Sequence, residues 1–376
     1  MLPALIDEWR GREGNRPTLP GILDQWNEIT WADHSLVITT HREKEPNDRS
    51  AIDALANECS RLAKTPTIYW LQSEQIAELY DHIRESGVVI DSRDGKAKGY
   101  FIGVGAALAA LADGDYPMYA ALATHDCDIK TPLLRLVAEV AYPLVGHEAK
   151  RYDVSKANYL RVCNGELKGR VTRNFFKPFI SAILAHHDHP MFRFLQNIEY
   201  PLSGEVGFSR EIAENLELAQ GYGLETGQNL RMFRYQGRIT QPWCGVYDHH
   251  HQTNGALGNM VGEITDILLA ALVRLQKVDV TELSKLHEAY IDRAVDFVAE
   301  YHLLAAQNGL RFNEDGERGV IVNDFAPVLQ QRIEAWRHGE VTVDAVRNSR
   351  MPSWAEIFEK APHAKELLAR AAIKVR

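Results

Sequence analysis

Asp126 and Asp128 stand either side of Cys127 in "YPMYAALATHDCDIKTP", directly after an apolar run with strand character. Two carboxylates at i and i+2 beyond a strand can hold one hard divalent cation through oxygen and leave positions open for phosphate oxygens. The same pair also suits a solvated turn or a helix N-cap. A second set of donors lies in "VYDHHHQ", residues 246–252. Neutral imidazole is a good ligand for borderline divalent metals once a neighbour orients it. In an extended segment, alternate side chains point to opposite faces, so His249 or His251 would reach one ion, not all three histidines. A surface loop or packed imidazoles fit that segment as well. "AHHDHP", residues 185–190, looks like a metal cluster but ends a helical run without supporting ligands.

Basic and glycine-rich stretches supply the complementary charge. "RDGKAKGY" sets Lys96 and Lys98 between glycines ahead of a helical pattern, which suits a phosphate or sugar contact or a solvated basic loop. The G-x-x-x-x-G-K-[ST] phosphate loop is absent. "LKGRVTRNFFKPF" gathers Lys168, Arg170, Arg173 and Lys177 around Gly169 and Thr172. A glycine that frees backbone N–H groups, a guanidinium fork and a hydroxyl together make an anion cradle, the other reading being an exposed basic helix start. "PLSGE" and "GYGLE" each pair glycine with a carboxylate, Glu205 and Glu225. Either is turn chemistry with a capping charge, or a place where a sugar's hydroxyls meet an acceptor.

The chain has 376 residues, enough for two domains or one with a large appendage. A net charge of −9 and a pI near 5.9 argue against nucleic acid or an anionic membrane as the main partner. Four scattered cysteines without a C-x-x-C point to a reducing compartment. The start lacks the charge and apolar pattern of a signal peptide, and "ITDILLAALVRL" is broken by Asp266 and Arg274. A soluble, cytoplasmic protein is expected.

The elements that must position these residues follow from periodicity. Residues 1–30 read as a helical extension; "HSLVITTH", "PTIYWL", "VVID" and "YPMYAALATHDCD" as strands; "AIDALANECSRLA", "SEQIAELYDHIRESG" and "GVGAALAALADG" as helices. Alternation of this kind implies a largely parallel α/β sheet whose ligands bind at the carboxyl ends of strands. "YDVSKANYLRV" and "GRITQPWCGVYDH" read as further strands, "TRNFFKPFISAILAHH" and "REIAENL" as helices. Helical periodicity dominates from about residue 256. The expected division is a 1–30 extension, a 31–255 catalytic domain split near residue 130, and a 256–376 helical region.

Five segments in order resemble the glucosyl-3-phosphoglycerate synthases and, more distantly, the mannosylglycerate synthases: the aspartate pair at 126–128, "GRVT" at 169–172, "PLSGE" at 201–205, "GYGLE" at 221–225 and "GVYDHHHQ" at 245–252. The resemblance implies the GT-A glycosyltransferase fold, with a Rossmann-like nucleotide-binding sheet. It implies transfer of a hexose, glucose first, from a UDP- or GDP-sugar to 3-phosphoglycerate with retention, using Mg²⁺ or Mn²⁺, in a homodimer. The alternative it leaves is a synthase using GDP-mannose or another donor and a non-phosphorylated hydroxy acid. By the same resemblance, Asp126, Asp128 and His249 hold the metal. Thr39, Glu43, Lys96 or Lys98, and Asp126 meet the donor, Glu225 takes sugar hydroxyls, and the Leu202 carbonyl lies near the anomeric carbon. Gly169, Arg170, Thr172 and His251 meet the acceptor. The "PALNEE"-like nucleotide loop of the family is expected where the strand at 34–41 runs into "TTHREKE", a departure from its pattern.

Overall fold

The computed structural model describes residues 1–5, 17–28, 36–41, 49–91, 93, 95–112, 120–130, 134–145, 152–235, 238–248, 254–373 and 375. Strands β1 (Leu2–Leu5), β2 (Val37–His41) and β3 (Thr67–Trp70) run parallel, and β13 (Ala372–Ile373) closes the far edge antiparallel to β3. A second sheet has the order β10 (Ile239–Thr240), β5 (Val154–Lys156), β8 (Val206–Ser209), β4 (Ala121–Ala123), and is mostly antiparallel. Met1 joins the two sheets: its amino group donates to the Ala123 carbonyl at 2.7 Å, and its carbonyl accepts the His125 N–H at 3.1 Å. The sheet is therefore continuous through β3-β2-β1-β4-β8-β5, with β1 and β4 side by side at its centre. A third sheet, β11 (Trp243–Asp248) with β6 (Asn158–Cys163) and β7 (Glu166–Leu167), stands beside it.

The helices behave as their patterns require. Glu74–Glu85 is capped by Ser73, whose Oγ accepts the Ile76 N–H at 3.3 Å, and it buries Ile76, Leu79, Tyr80 and Ile83 on one face. Lys96–Ala112 lies across β1 and β2. One apolar core fills this half, and a separate one joins residues 171–198 to the long helices Asn254–Gln276, Lys285–Gln307 and Ala326–Arg337.

Four features differ from the sequence expectation. Of residues 1–30, expected to be a helical extension, Leu2–Leu5 form a central strand and Leu19–Asn27 a helix. "VVID" forms no strand, although Val88 and Ile90 are buried, because the edge of β3 is already taken by β13 from the end of the chain. The sheet is mixed, parallel only in its first half. The last stretch of the helical region leaves the other helices and returns to the first core: Trp354 stacks on Phe101 with ring centroids 4.5 Å apart and donates its indole N–H to the Phe101 carbonyl at 2.8 Å.

Candidate active site

The strand order places Asp126 and Asp128 just beyond the carboxyl end of β4, beside β1, where an α/β sheet presents its ligand cleft. The loop 201–205 is fastened to the same spot. Thr124 Oγ1 donates to the Gly204 carbonyl at 2.7 Å, and the Asp126 N–H donates to Glu205 Oε1 at 3.2 Å. Gly204 lies so close that a Cβ there would sit 2.3 Å from Asp126 Oδ2. Beneath the loop, Lys156 is buried and its Nζ donates to the Ser203 carbonyl at 2.9 Å, while Asn229 Nδ2 donates to the Pro201 carbonyl at 2.7 Å. Burial draws the Lys156 ammonium down to about 8. The backbone on both sides of Leu202 is therefore fixed by side-chain donors.

Three charged side chains from distant parts of the chain converge here. Lys96 Nζ lies 2.8 Å from Asp126 Oδ1 and 2.7 Å from Glu225 Oε1. Burial opposes its charge, but the two carboxylates hold the ammonium well above its ordinary range. Burial likewise works against the Asp126 carboxylate, and Lys96 overrides it, so that carboxyl sits below its usual value. Asp128 has a separate partner, Arg161 Nη2 at 3.2 Å. Burial, not this partner, dominates there and raises the carboxyl. Glu205 takes the Tyr159 hydroxyl at 2.8 Å, and burial, reinforced by the charge of Asp126, lifts its carboxyl to about 7.

The two lysines that the sequence left as alternatives differ in placement. The helix begins at Lys96, so neither lies in a loop. Lys96 enters the carboxylate pair, whereas Lys98 is buried with its ammonium over the Tyr80 ring, 5.2 Å from the centroid. Thr39 is buried against the helix behind the sheet: its Cγ2 would lie 3.6 Å from a Cβ on Gly103. The structure does not bring it to the cluster. Glu43, His249 and His251 lie outside the described residues. Asp248, which precedes His249, does reach the site: its carbonyl accepts the Lys130 N–H at 2.7 Å, two residues beyond Asp128. "TTHREKE" runs past the end of β2, and its residues beyond His41 lie outside the described residues. The strand beside β4 is β1, "LPAL", and β2 lies one strand further out.

The hard oxygen donors of Asp126 and Asp128 suit Mg²⁺ or Mn²⁺. Both carboxylates are charge-paired, side chains 22% and 25% exposed, and so open to exchange of a protein cation for a metal ion. Among the described residues no group of three metal-ligating side chains is already assembled.

The second cluster surrounds "GRVT". Gly169 has φ +83°, and a Cβ there would meet the Tyr200 hydroxyl at 2.6 Å. Val171–Phe176 follows as a π-helical turn, a form often found at functional positions. Arg170 Nε donates to Glu317 Oε1 at 2.9 Å, and Arg173 Nη2 to Glu317 Oε2 at 3.3 Å. Thr172 is buried, and Lys177 turns away to the Gln196 carbonyl at 2.6 Å. Sequence reasoning did not single out Arg161, Lys156 or Glu317. The first two carry a signal, a charge inside a strand pattern; "NEDGERGV" around Glu317 carries none.

No family model matches the chain. It is 26% identical over 373 residues to a glucosyl-3-phosphoglycerate synthase of Methanococcoides burtonii, covering 96% of this chain and 87% of that protein. A protein of the same description from Persephonella marina is 27% identical over 383 residues, with 99% and 88% covered. The chain is thus similar over nearly its whole length to glucosyl-3-phosphoglycerate synthases. Among solved structures, the Mycobacterium tuberculosis glucosyl-3-phosphoglycerate synthase in complex with Mg²⁺ and uridine diphosphate superimposes with a TM-score of 0.50 at 24% identity, over 72% of this chain and 77% of that one. The fold is that of the GT-A glycosyltransferases.

Proposed function

We propose that this protein is a retaining, divalent-metal-dependent glycosyltransferase that moves glucose from UDP-glucose to the free hydroxyl of 3-phosphoglycerate. The observation that carries the reading is the meeting of Lys96, Asp126 and Glu225 at the cleft, with "GRVT" as a second, cationic pocket. The near-full-length relatives bear that activity in their names, and the superimposed structure holds uridine diphosphate, which favours UDP over GDP.

Asp126, Asp128 and His249 would hold Mg²⁺ or Mn²⁺, whose charge would offset that of the departing diphosphate. Lys96 and Arg161, which pair with the two aspartates, would supply further positive charge beside the same phosphates. Glu225 accepts the sugar's hydroxyls, and the Leu202 carbonyl, on its clamped loop, faces developing positive charge at the anomeric carbon. The bond from that carbon to the phosphate oxygen breaks, and a bond to the acceptor oxygen forms on the same face. The acceptor's proton passes to the leaving phosphate oxygen. Gly169, Arg170 and Thr172, with His251, take the acceptor's anionic groups.

The proposal extends to a homodimer, for which Leu303 and Val322, exposed on the C-terminal helices, offer apolar contact; light scattering tests it. Four buried free cysteines agree with a reducing, cytoplasmic setting. No described helix is long and apolar enough to cross a membrane. The deciding assay presents UDP- and GDP-hexoses with 3-phosphoglycerate or glycerate, with and without Mg²⁺, and identifies products by mass spectrometry. UDP and a glucosylated phosphoglycerate are expected; turnover only with glycerate, or release of pyrophosphate, would overturn the reading.

A further inference from the structure

Glu317 lies on the helix Glu314–Val320, nearly 150 residues from "GRVT", and is 3% exposed. Its carboxylate receives three donors from a single turn: Arg170 Nε, Arg173 Nη2 and Asn174 Nδ2. The two arginines are not equivalent. Arg173 is buried, donates also to the Lys168 and Leu167 carbonyls at 3.0 and 3.3 Å, and lies over the Tyr301 and Phe312 rings. Its surroundings fix it several times over. Arg170 is 20% exposed, and among the described residues Glu317 is the only partner of its guanidinium. With Nε engaged, the two Nη groups remain for an anion approaching end-on, the bidentate geometry that suits a carboxylate or phosphate.

The backbone on both sides of the contact is special. "GRVT" opens a π-helical turn, and the helix bearing Glu317 runs directly into another, Ile321–Phe325, which packs on the first. A π-turn shifts the side chains beyond it out of ordinary helical register. Arg170 caps the first turn, Arg173 and Asn174 lie within it, and Glu317 stands four residues before the second begins.

We propose that Glu317 is the positioning residue of the acceptor pocket, holding the Arg170 guanidinium so that its free edge faces the acceptor's anionic group. This rests on the reading of 169–172 as the acceptor site. Glu317 does not touch the acceptor; it acts by fixing Arg170 before the acceptor arrives, so the ordering cost is met by the fold and not by binding.

The test is steady-state kinetics of wild type, Glu317→Gln and Glu317→Asp with UDP-glucose, 3-phosphoglycerate and Mg²⁺. An amide cannot accept from both arginines at once, so E317Q should raise KM for 3-phosphoglycerate about tenfold or more, with kcat and the KM for UDP-glucose within about threefold. E317D keeps the charge that buried Arg173 requires but withdraws the carboxylate by one methylene. It should fold like wild type and still raise the acceptor KM severalfold, which covers the case in which E317Q does not fold. An unchanged or lowered acceptor KM in a folded variant overturns the proposal, as does an equal loss for both substrates. Wild-type protein inactive on 3-phosphoglycerate overturns the functional reading and this inference together; active wild type with unaltered variants overturns this inference alone.

Discussion

The donor and acceptor clusters are both built from buried ion pairs, yet they are built differently. On the donor side the two aspartates pair with different cations, Asp126 with Lys96, which Glu225 shares, and Asp128 with Arg161, and both aspartates keep about a quarter of their side-chain surface in solvent. On the acceptor side two guanidiniums share one carboxylate that is almost wholly enclosed. The first arrangement is made to exchange: a metal ion can replace the cations, and the cations can turn to phosphate. The second is made to stay, because stripping a partner from a buried ion pair costs about 3–5 kcal/mol.

If exchange is the purpose of the donor pairs, removing a metal-binding carboxylate should be far worse than loosening any acceptor contact. Asp128→Ala should lower kcat by about a thousandfold or more at saturating substrates and Mg²⁺, the scale on which electrostatic stabilisation of a leaving group is lost. Turnover within tenfold of wild type would take the ion away from the aspartates. The next effect separates the two lysines. Lys96→Met removes the cation shared by Asp126 and Glu225, with an expected drop of about a hundredfold in kcat/KM, while Lys98→Met, losing only its place over Tyr80 and nearby contacts, should stay within about threefold. The reverse order would move the donor contact to Lys98.

Much of this was legible from residue types alone. D-x-D after an apolar run, glycine with basic residues in "GRVT", and glycine with glutamate in "GYGLE" are chemical signatures that survive without a structure, and the fold does gather Lys96, Asp126 and Glu225. What the sequence hid were the partners. Arg161 and Lys156 show only as charges inside strand patterns, which name no partner, and Glu317 lies in a polar stretch indistinguishable from a solvated helix start. Pairing partners across 33 to 147 residues leave no local trace. The misplacement of the first strand has a similar cause. Four residues, "LPAL", are too few to show a period, and only their hydrogen bonding beside β4 reveals them as the centre of the sheet.

A smaller change sharpens the idea that the donor carboxylates are precisely placed by close backbone approach rather than by a rigid partner. Gly204→Ala would put a methyl group 2.3 Å from Asp126 Oδ2, so the carboxylate must move. The Mg²⁺ concentration giving half-maximal activity should rise about tenfold, with the acceptor KM unaffected, since about 1.4 kcal/mol of lost ligation is a factor of ten. A change confined to the acceptor KM would instead tie the 201–205 loop to the acceptor site.

The smallest effect on activity should come from Lys177, which marks how little the acceptor half depends on charge outside Glu317 and its arginines. Two buried lysines invite comparison: Lys156 holds the Ser203 carbonyl beside Leu202, and Lys177 holds the Gln196 carbonyl, away from both clusters. Burial lowers the Lys177 ammonium to about 8 from an ordinary 10.5. Below pH 8 the ammonium is charged in both folded and unfolded chains, and the fold bears the full cost of burying it. Between 8 and 10.5 the unfolded chain holds more protons, so this group makes stability rise with pH. Lys177→Met abolishes that contribution. Relative to the variant, wild type should gain about 1–2 kcal/mol between pH 7 and about pH 9.5 in denaturant titrations, while kcat/KM at neutral pH stays within about twofold. A pH-independent stability difference would mean that Lys177 is not buried as a charge. A large loss of turnover would return it to the anion cradle and erase the distinction between the two lysines.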